Sequence, residues 1–74
     1  MLREKLENEI YVFISYKGID PNVIIMHPKT WEQLCTEVWD YYRLEIYKNH
    51  IELRYSGIKV FRSFDILEGL FEVT

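Results

Sequence analysis

The spacing of apolar and polar residues divides this chain into a helical first part and a strand-rich last part. In the middle, the four apolar residues Val23–Met26 are too few for a helix and have the length of a buried strand. His27-Pro28 ends that strand, because proline has no amide N–H to donate to a ladder. From Trp31 onward the apolar residues recur at helical spacing, which predicts an amphipathic helix to about Tyr42. A strand that leads directly into a helix is therefore the centre of the expected fold.

The start of this central helix has two candidate positions. Pro28 fits the first turn, where its missing N–H costs nothing. Thr30 is the competing N-cap, because Gln33 follows three residues later, as in a capping box. The polar face of the helix is expected to lie in solvent and carries Glu32, Glu37 and Asp40.

The first 17 residues admit two structures. Apolar residues within 2–13 follow helical spacing, and the first turn is acidic, which favours a helix through about Tyr16. Residues 10–16, however, are mostly β-branched or aromatic, so a strand is the alternative there. Gly18 then serves as a helix C-cap or a turn glycine, and Asp20-Pro21-Asn22 completes the break.

Beyond residue 43 the apolar period shortens to two, which is typical of strands. Residues 44–47 and 51–55 alternate around Lys48-Asn49 and predict a β-hairpin, with continuation of the helix to about Tyr47 as the alternative. After Ser56-Gly57, residues 58–62 predict another strand, and residues 70–73 predict a last one. The expected fold class is α+β: one or two helices packed on a small mixed or antiparallel sheet with a β-hairpin. The predicted core consists of Trp31, Leu34, Val38, Ile25, Leu53, Ile58 and Val60.

Length and composition predict a single small domain, residues 1–74, with more aromatic rings than its interior holds. The chain has 74 residues, among them six Tyr, four Phe and two Trp. A domain of this size buries only about 60 % of the surface that its unfolded chain exposes. Some rings are therefore expected at a contact with another protein, and a second copy of the chain is an economical partner. The expected interaction surface lies near the junction of helix and hairpin and comprises Tyr41, Tyr42, Tyr47 and Tyr55.

Charge and hydropathy indicate a soluble, cytoplasmic protein. The formal net charge is −3, with basic and acidic residues interspersed, so no overall field favours nucleic acid. No apolar run reaches the ~18 residues of a membrane span, and the N-terminus lacks a signal-peptide core. The single cysteine, Cys35, excludes an intrachain disulfide and leaves too few thiols for a structural zinc site.

The residues that carry chemistry do not form a catalytic constellation. Cys35 lies in the middle of the apolar helix stripe without a histidine at helical distance, as expected of a core cysteine. His27 at the strand end and His50 at the hairpin tip are too scattered for a metal site. Three isolated glycines make no phosphate-binding loop. We therefore expect no enzymatic activity, no metal and no cofactor.

Nucleic-acid binding is the alternative function. Basic and aromatic residues recur on consecutive predicted strands, as in sheets on which bases stack. Glu45 and Glu52 among them, and the acidic balance of the chain, favour ordinary cross-strand pairs instead. The alternative surface comprises Arg54, Lys59, Phe61 and Arg62.

Three motifs follow one another along the chain: PNVIIMHPKTWEQL, YSGIKVFRS and DILEGLFEV. Their key positions are Val23–Met26, His27-Pro28, Trp31 and Leu34, then Gly57, Ile58, Val60 and Ser63, then Leu67 and Gly69. This succession resembles a segment of the peripheral domain in the major capsid proteins of tailed phages. In that family a hydrophobic strand and His/Asn-Pro precede a helix with Trp/Tyr-x-x-Leu, and two further strands follow.

The motifs of this resemblance are structural rather than catalytic. A full capsid protein is far longer and has a long spine helix, which this chain lacks. The resemblance implies a phage or prophage origin and a structural or protein-interaction role. The implied partner is the chain itself or another phage protein, in the host-cell cytoplasm or the virion.

Overall fold

The computed structural model describes residues 1–38, 44–47 and 52–74, of which 38, 44–47 and 52 are described by their backbone alone. Two helices pack on one mixed sheet in this part of the chain, so the predicted α+β class is confirmed. The elements follow in the order α1 (Leu2–Lys17), β1 (Val23–Met26), α2 (Pro28–Val38), β2 (Leu44–Tyr47), β3 (Glu52–Tyr55), β4 (Ile58–Arg62) and β5 (Phe71–Val73).

The five strands are arranged in the order β2-β3-β4-β1-β5. β1 and β4 are parallel, while every other neighbouring pair is antiparallel. A parallel pair needs a long crossover, and here α2 and the β2–β3 hairpin together provide it. The predicted hairpin is confirmed in its two strands; its proposed turn at Lys48-Asn49, with Ile51 and His50, lies outside the described residues.

The core lies between the two helices and one face of the sheet. On β1, Ile24 and Met26 are fully buried, whereas Ile25 is only half-buried. Successive side chains of a strand point to opposite faces, so the prediction that Ile25 belongs to the core is wrong. Every residue of β1 is apolar, and the sequence therefore did not distinguish the two faces. The fully buried or nearly buried apolar side chains are Leu6, Ile24, Met26, Trp31, Leu34, Leu53, Tyr55, Val60 and Phe71.

Of the remaining predicted core residues, Trp31, Leu34, Leu53 and Val60 are confirmed as buried. Ile58 is half-buried and packs against the core. The side chain of Val38 is outside the described part of the structure, as are the residues from Trp39 to Tyr42 that were predicted to extend α2.

The predicted helix at the N-terminus is confirmed, and the strand alternative for residues 10–16 is wrong. Gly18 ends α1 in the left-handed region, with φ 71°, and its N–H donates to the carbonyl of Ile14 at 2.8 Å. The helix has no side-chain cap of its own at Met1. Its first N–H groups instead donate across the molecule, from Leu2 and Arg3 to the carboxylate of Glu37 at 3.2 and 2.9 Å.

This carboxylate corrects the expectation that Glu37 faces solvent. Glu37 is half-buried on α2, and it satisfies two amides that α1 leaves without an intrahelical acceptor. Its negative charge also lies at the positive end of the α1 dipole. The two helices are thus joined by a polar contact as well as by apolar packing.

The second helix begins at Pro28, with His27 as its N-cap. The Nδ1 atom of His27 accepts a hydrogen bond from the N–H of Lys29 at 3.1 Å. The alternative prediction, that Thr30 is the N-cap, is wrong, because that residue lies inside the first turn. Thr30 is buried, and its hydroxyl oxygen accepts the N–H of Gly69 at 2.9 Å, which ties the loop before β5 to α2.

Candidate interaction surfaces

Of the predicted tyrosine surface, Tyr55 is the residue whose side chain the structure describes, and it does not lie at the surface. Tyr55 is fully buried, and its hydroxyl donates to Oε1 of Glu7 on α1 at 2.8 Å. It therefore links β3 to α1 instead of facing a partner, because a buried phenol finds its hydrogen-bond acceptor inside the fold. Tyr41 and Tyr42 lie outside the described residues, and only the backbone of Tyr47 is described, in β2.

The sheet face opposite the helices holds most of the predicted nucleic-acid surface. Strand alternation places Lys59 and Phe61 on this open face, away from the buried Val60. Arg54 is the register partner of Lys59 and shares the face, while Phe61 lies beside Ile25 and is 60 % exposed. In the neighbouring strand pair the register partner of Arg54 is Glu45, so this row of the sheet has one acidic position beside two basic ones.

Arg62, the fourth predicted residue, does not belong to this face. It follows Phe61 on β4 and shares the orientation of Val60, towards the helices. Its charge acts on the thiol of Cys35 in α2. The expectation of one surface made of all four residues is therefore wrong, and only three of them lie on the same face.

The environment of Cys35 suits a structural thiol. The residue is half-buried and packs against the core, as predicted. Burial raises the pKa of the Cys35 thiol, and the carboxylate of Glu32 raises it further, while a backbone hydrogen bond and Arg62 act in the opposite direction. The thiol therefore stays protonated at neutral pH, whereas a nucleophilic cysteine needs a lowered pKa.

The second half of α1 presents an apolar surface that the sequence analysis did not identify as an interaction site. Tyr11 and Tyr16 are 70 and 85 % exposed, and Val12 and Ile14 are exposed beside them. The first half of the helix is charged, and only Leu6 is fully buried. The signal in the sequence was the β-branched and aromatic stretch that made residues 10–16 ambiguous: it is apolar on more sides than one buried face requires.

Two cavities flank this helix. One, of about 300 Å³, lies between α1 and the β3–β4 turn, and its lining includes Glu7 and Asp20 as well as Ile10, Ile14 and Ile58. The other, of about 270 Å³, lies between α1 and the edge strand β5 and is lined by Glu9, Val12, Phe13 and Val73. Both cavities border the exposed half of α1.

The turn between β3 and β4 is a tight two-residue hairpin. Ser56 and Gly57 both have positive φ, 51° and 83°, as a type I′ turn requires. Nη1 of Arg54 donates to the carbonyl of Gly57 at 2.8 Å. Arg54 thus has a structural hydrogen bond within the turn, in addition to its place on the open face.

Several side chains that are capable of acid–base or ligand chemistry hold structural positions. His27 caps α2 and its ring meets that of Phe64 edge to face, with centroids 5.3 Å apart. Nζ of Lys5 donates to the carbonyl of Gly69 at 2.6 Å, which links α1 to the loop before β5. Within the described ranges, no three His, Cys, Asp or Glu side chains are grouped to hold a metal ion. Neither helix, as far as it is described, has the length and apolar character to cross a membrane.

Comparison with known protein families, with curated proteins and with solved structures finds no match to this chain.

Proposed function

We propose that this chain is a non-enzymatic structural or protein-interaction protein of phage or prophage type, which acts by associating with itself or with another phage protein. The observation that carries the proposal is the exposed apolar half of α1, where Tyr11 and Tyr16 stand in solvent. Large apolar patches on a small protein are typical of interaction sites. The motif resemblance to a capsid segment supports a phage setting, in the virion or in the host-cell cytoplasm.

The positions of the polar side chains support a role without catalysis. Glu37 caps one helix and His27 caps the other, while Glu7 accepts the hydroxyl of Tyr55. Each of these groups is committed to a contact inside the fold. The exposed apolar surface, by contrast, has no comparable contact within the described residues and is available to a partner.

Sedimentation equilibrium over a roughly hundredfold concentration range tests self-association. We expect a dimer that persists to micromolar concentration, in exchange with a monomer of 9.1 kDa. A monomer at every concentration would contradict self-association and leave association with another phage protein as the form of the proposal. Co-purification of the chain with a defined capsid or tail protein then tests that form.

Nucleic-acid binding is the second candidate, and the shared open face of Arg54, Lys59 and Phe61 favours it. Binding through this face predicts an affinity for single strands that falls steeply as the salt concentration rises. We expect no binding tighter than the non-specific range, because an acidic position pairs with Arg54 in the sheet and the formal net charge of the chain is −3. Sub-micromolar binding that Lys59→Glu abolishes and Arg62→Glu retains would make this candidate the better function, since Arg62 points to the opposite side of the sheet.

A further inference from the structure

We infer that the groove between α1 and the edge strand β5 binds an extended segment of another protein, which joins the sheet as an additional strand and places a lysine or arginine beside Glu9. This inference rests on the protein-interaction function proposed above and adds the place at which a partner's main chain binds. The chemistry of the partner segment is an extended backbone with one aliphatic and one cationic side chain on the same face.

The backbone of β5 has hydrogen-bonding groups that point away from the sheet. β5 is the last strand of the sheet, and its neighbour is the antiparallel β1. The N–H of Thr74 donates to the carbonyl of Val23 at 3.0 Å, so these two residues form a hydrogen-bonded pair. Such pairs alternate along an antiparallel ladder, so Glu72 also faces β1, whereas the N–H and C=O groups of Phe71 and Val73 point outward. No hydrogen bond engages these outward groups within the described ranges.

Outward groups at alternate residues match the backbone of another extended chain. Phe71 and Val73 each offer one donor and one acceptor, which is the template for strand addition. β5 has 3 residues, so the new ladder is short and side chains must supply further affinity. An added strand directs every second side chain to the helix side of the sheet.

The helix side of this edge provides a groove for such side chains. The cavity of about 270 Å³ between α1 and β5 is lined by Glu9, Val12, Phe13 and Val73. Its apolar residues suit an aliphatic side chain of the added strand. Val12 is 43 % exposed and also belongs to the exposed apolar half of α1, so the groove is continuous with that surface.

The carboxylate of Glu9 supplies the preference for a cation. Its Oε2 atom is buried and accepts no hydrogen bond within the described ranges. A buried acceptor without a donor is costly, so a ligand that brings the donor is favoured. Lys5 lies one turn earlier on α1, but its Nζ donates to the carbonyl of Gly69.

A second copy of β5 is a poorer occupant than a basic segment. Two copies that pair through Phe71 and Val73 of both strands set Glu72 directly opposite Glu72, and like charges at such positions destabilise a sheet. Glu72 is exposed on the open face and Glu9 lies on the helix side, so both faces of this edge carry a carboxylate. A strand with basic side chains is complementary to both.

A panel of labelled synthetic peptides tests the groove. Each peptide is acetylated and has threonine at alternate positions, with valine, leucine, lysine or glutamate between them. Fluorescence anisotropy should show that peptides with both an aliphatic residue and lysine bind about tenfold or more tightly than their glutamate counterparts. A panel in which no peptide binds at about 1 mM overturns the inference.

Backbone substitutions test strand addition. N-methylation of the peptide amides that face β5 should abolish binding, whereas N-methylation of the alternate amides should retain it. In the protein, Val73→Pro removes an N–H that points away from β1, so the existing ladder is kept while peptide binding weakens about tenfold or more. Val73→Ala keeps this N–H and is the matched control, with a smaller loss expected.

Charge substitutions test the role of Glu9. Glu9→Lys should reverse the preference from lysine to glutamate peptides, and Glu9→Gln, which keeps the size of the side chain, should remove most of the preference. Glu4→Lys is the matched control, because Glu4 is exposed on α1 and does not line the cavity. Far-UV circular dichroism verifies that each variant is folded. Equal effects of Glu9→Lys and Glu4→Lys would show a general attraction to an acidic surface and overturn the assignment of Glu9.

The outcomes separate this inference from the proposal beneath it. Sedimentation equilibrium and co-purification test the proposed association without reference to the groove. If the chain associates but its peptides bind regardless of which amides are methylated, the groove is overturned and the proposed function stands. If peptides bind with the expected methylation pattern to a chain that neither self-associates nor binds a capsid or tail protein, the groove stands and the phage-type function does not. A wild-type dimer that Val73→Pro dissociates would identify a second copy as the occupant and overturn the basic segment.

Discussion

Trp31 has the bulkiest of the side chains that are buried in the core between the helices and the sheet. It is 5 % exposed and packs in the cluster that includes Ile24 and Leu34. Trp31→Ala should lower the free energy of unfolding by roughly 3–5 kcal/mol, because a large buried ring is replaced by a cavity. That is a large share of the total stability of a domain this size.

Chemical denaturation measures this loss, with Ile25→Ala as the control. Ile25 is half-buried on the open face of β1, so its truncation should cost distinctly less. A loss below about 1 kcal/mol for Trp31→Ala would contradict the burial of the ring.

Cys35 gives the molecule a pH dependence whose sign follows from its environment. Burial raises the pKa of this thiol in the folded state, so the unfolded chain ionises first as the pH rises. The contribution of Cys35 to stability is therefore complete below the unfolded pKa of about 8.5 and is lost as the pH rises through the folded pKa. The difference in unfolding free energy between wild type and Cys35→Ala should accordingly become less favourable to wild type in alkaline solution.

The reactivity of the same thiol provides an independent measurement. The chain has a single cysteine, so alkylation reports on Cys35 alone. We expect iodoacetamide at pH 8 to modify the native protein more slowly than the denatured protein, because less thiolate is present and access is reduced. Equal rates in the two states would show that neither burial nor the raised pKa protects the thiol.

At the scale of elements, the stability of α1 depends on a residue of α2. Glu37 accepts hydrogen bonds from the N–H groups of Leu2 and Arg3, and α1 has no side-chain cap of its own. Glu37→Ala should lower the free energy of unfolding by about 1–2 kcal/mol, as the loss of an N-cap does. Amide hydrogen exchange should become faster at the start of α1 in this variant.

Glu32→Ala is the matched control for this prediction. Glu32 is exposed on the same helix, so its removal should change the unfolding free energy by no more than about 0.5 kcal/mol. If the two variants were equally stable, the capping contact would contribute nothing in solution.

For the whole molecule, association and folding should be linked. Only the folded chain forms the dimer, so raising the protein concentration should raise the temperature of unfolding. For a domain of this length, each 1 kcal/mol of stabilisation corresponds to roughly 4–8 °C, so the shift is easily resolved. Differential scanning calorimetry at several concentrations measures it. Tyr16→Glu should remove the dependence, and a wild-type midpoint independent of concentration would argue against a dimer.

The sequence by itself determined the elements and the fold class. Apolar spacing is a local property, and it located β1, the change from strand to helix after Met26 and the strands from β2 to β5, although it left two candidates for the first residue of α2. Turn chemistry did the same for Gly18, which ends α1. It also located the break at Ser56-Gly57, since positive φ is required there and nearby residues suffice to indicate it.

The tertiary structure alone decided which face of each element is buried and which polar side chains form hydrogen bonds between elements. Val23–Met26 is apolar throughout, so only packing selected Ile24 and Met26 for the core over Ile25. The roles of Glu37 and Tyr55 depend on partners 34 or more positions away along the chain, in α1. Local patterns hold no information about such distant partners, because the contact forms only when the two helices and the sheet have packed. For the same reason, the sequence indicated a surplus of aromatic residues, but only the folded chain placed that surplus on α1.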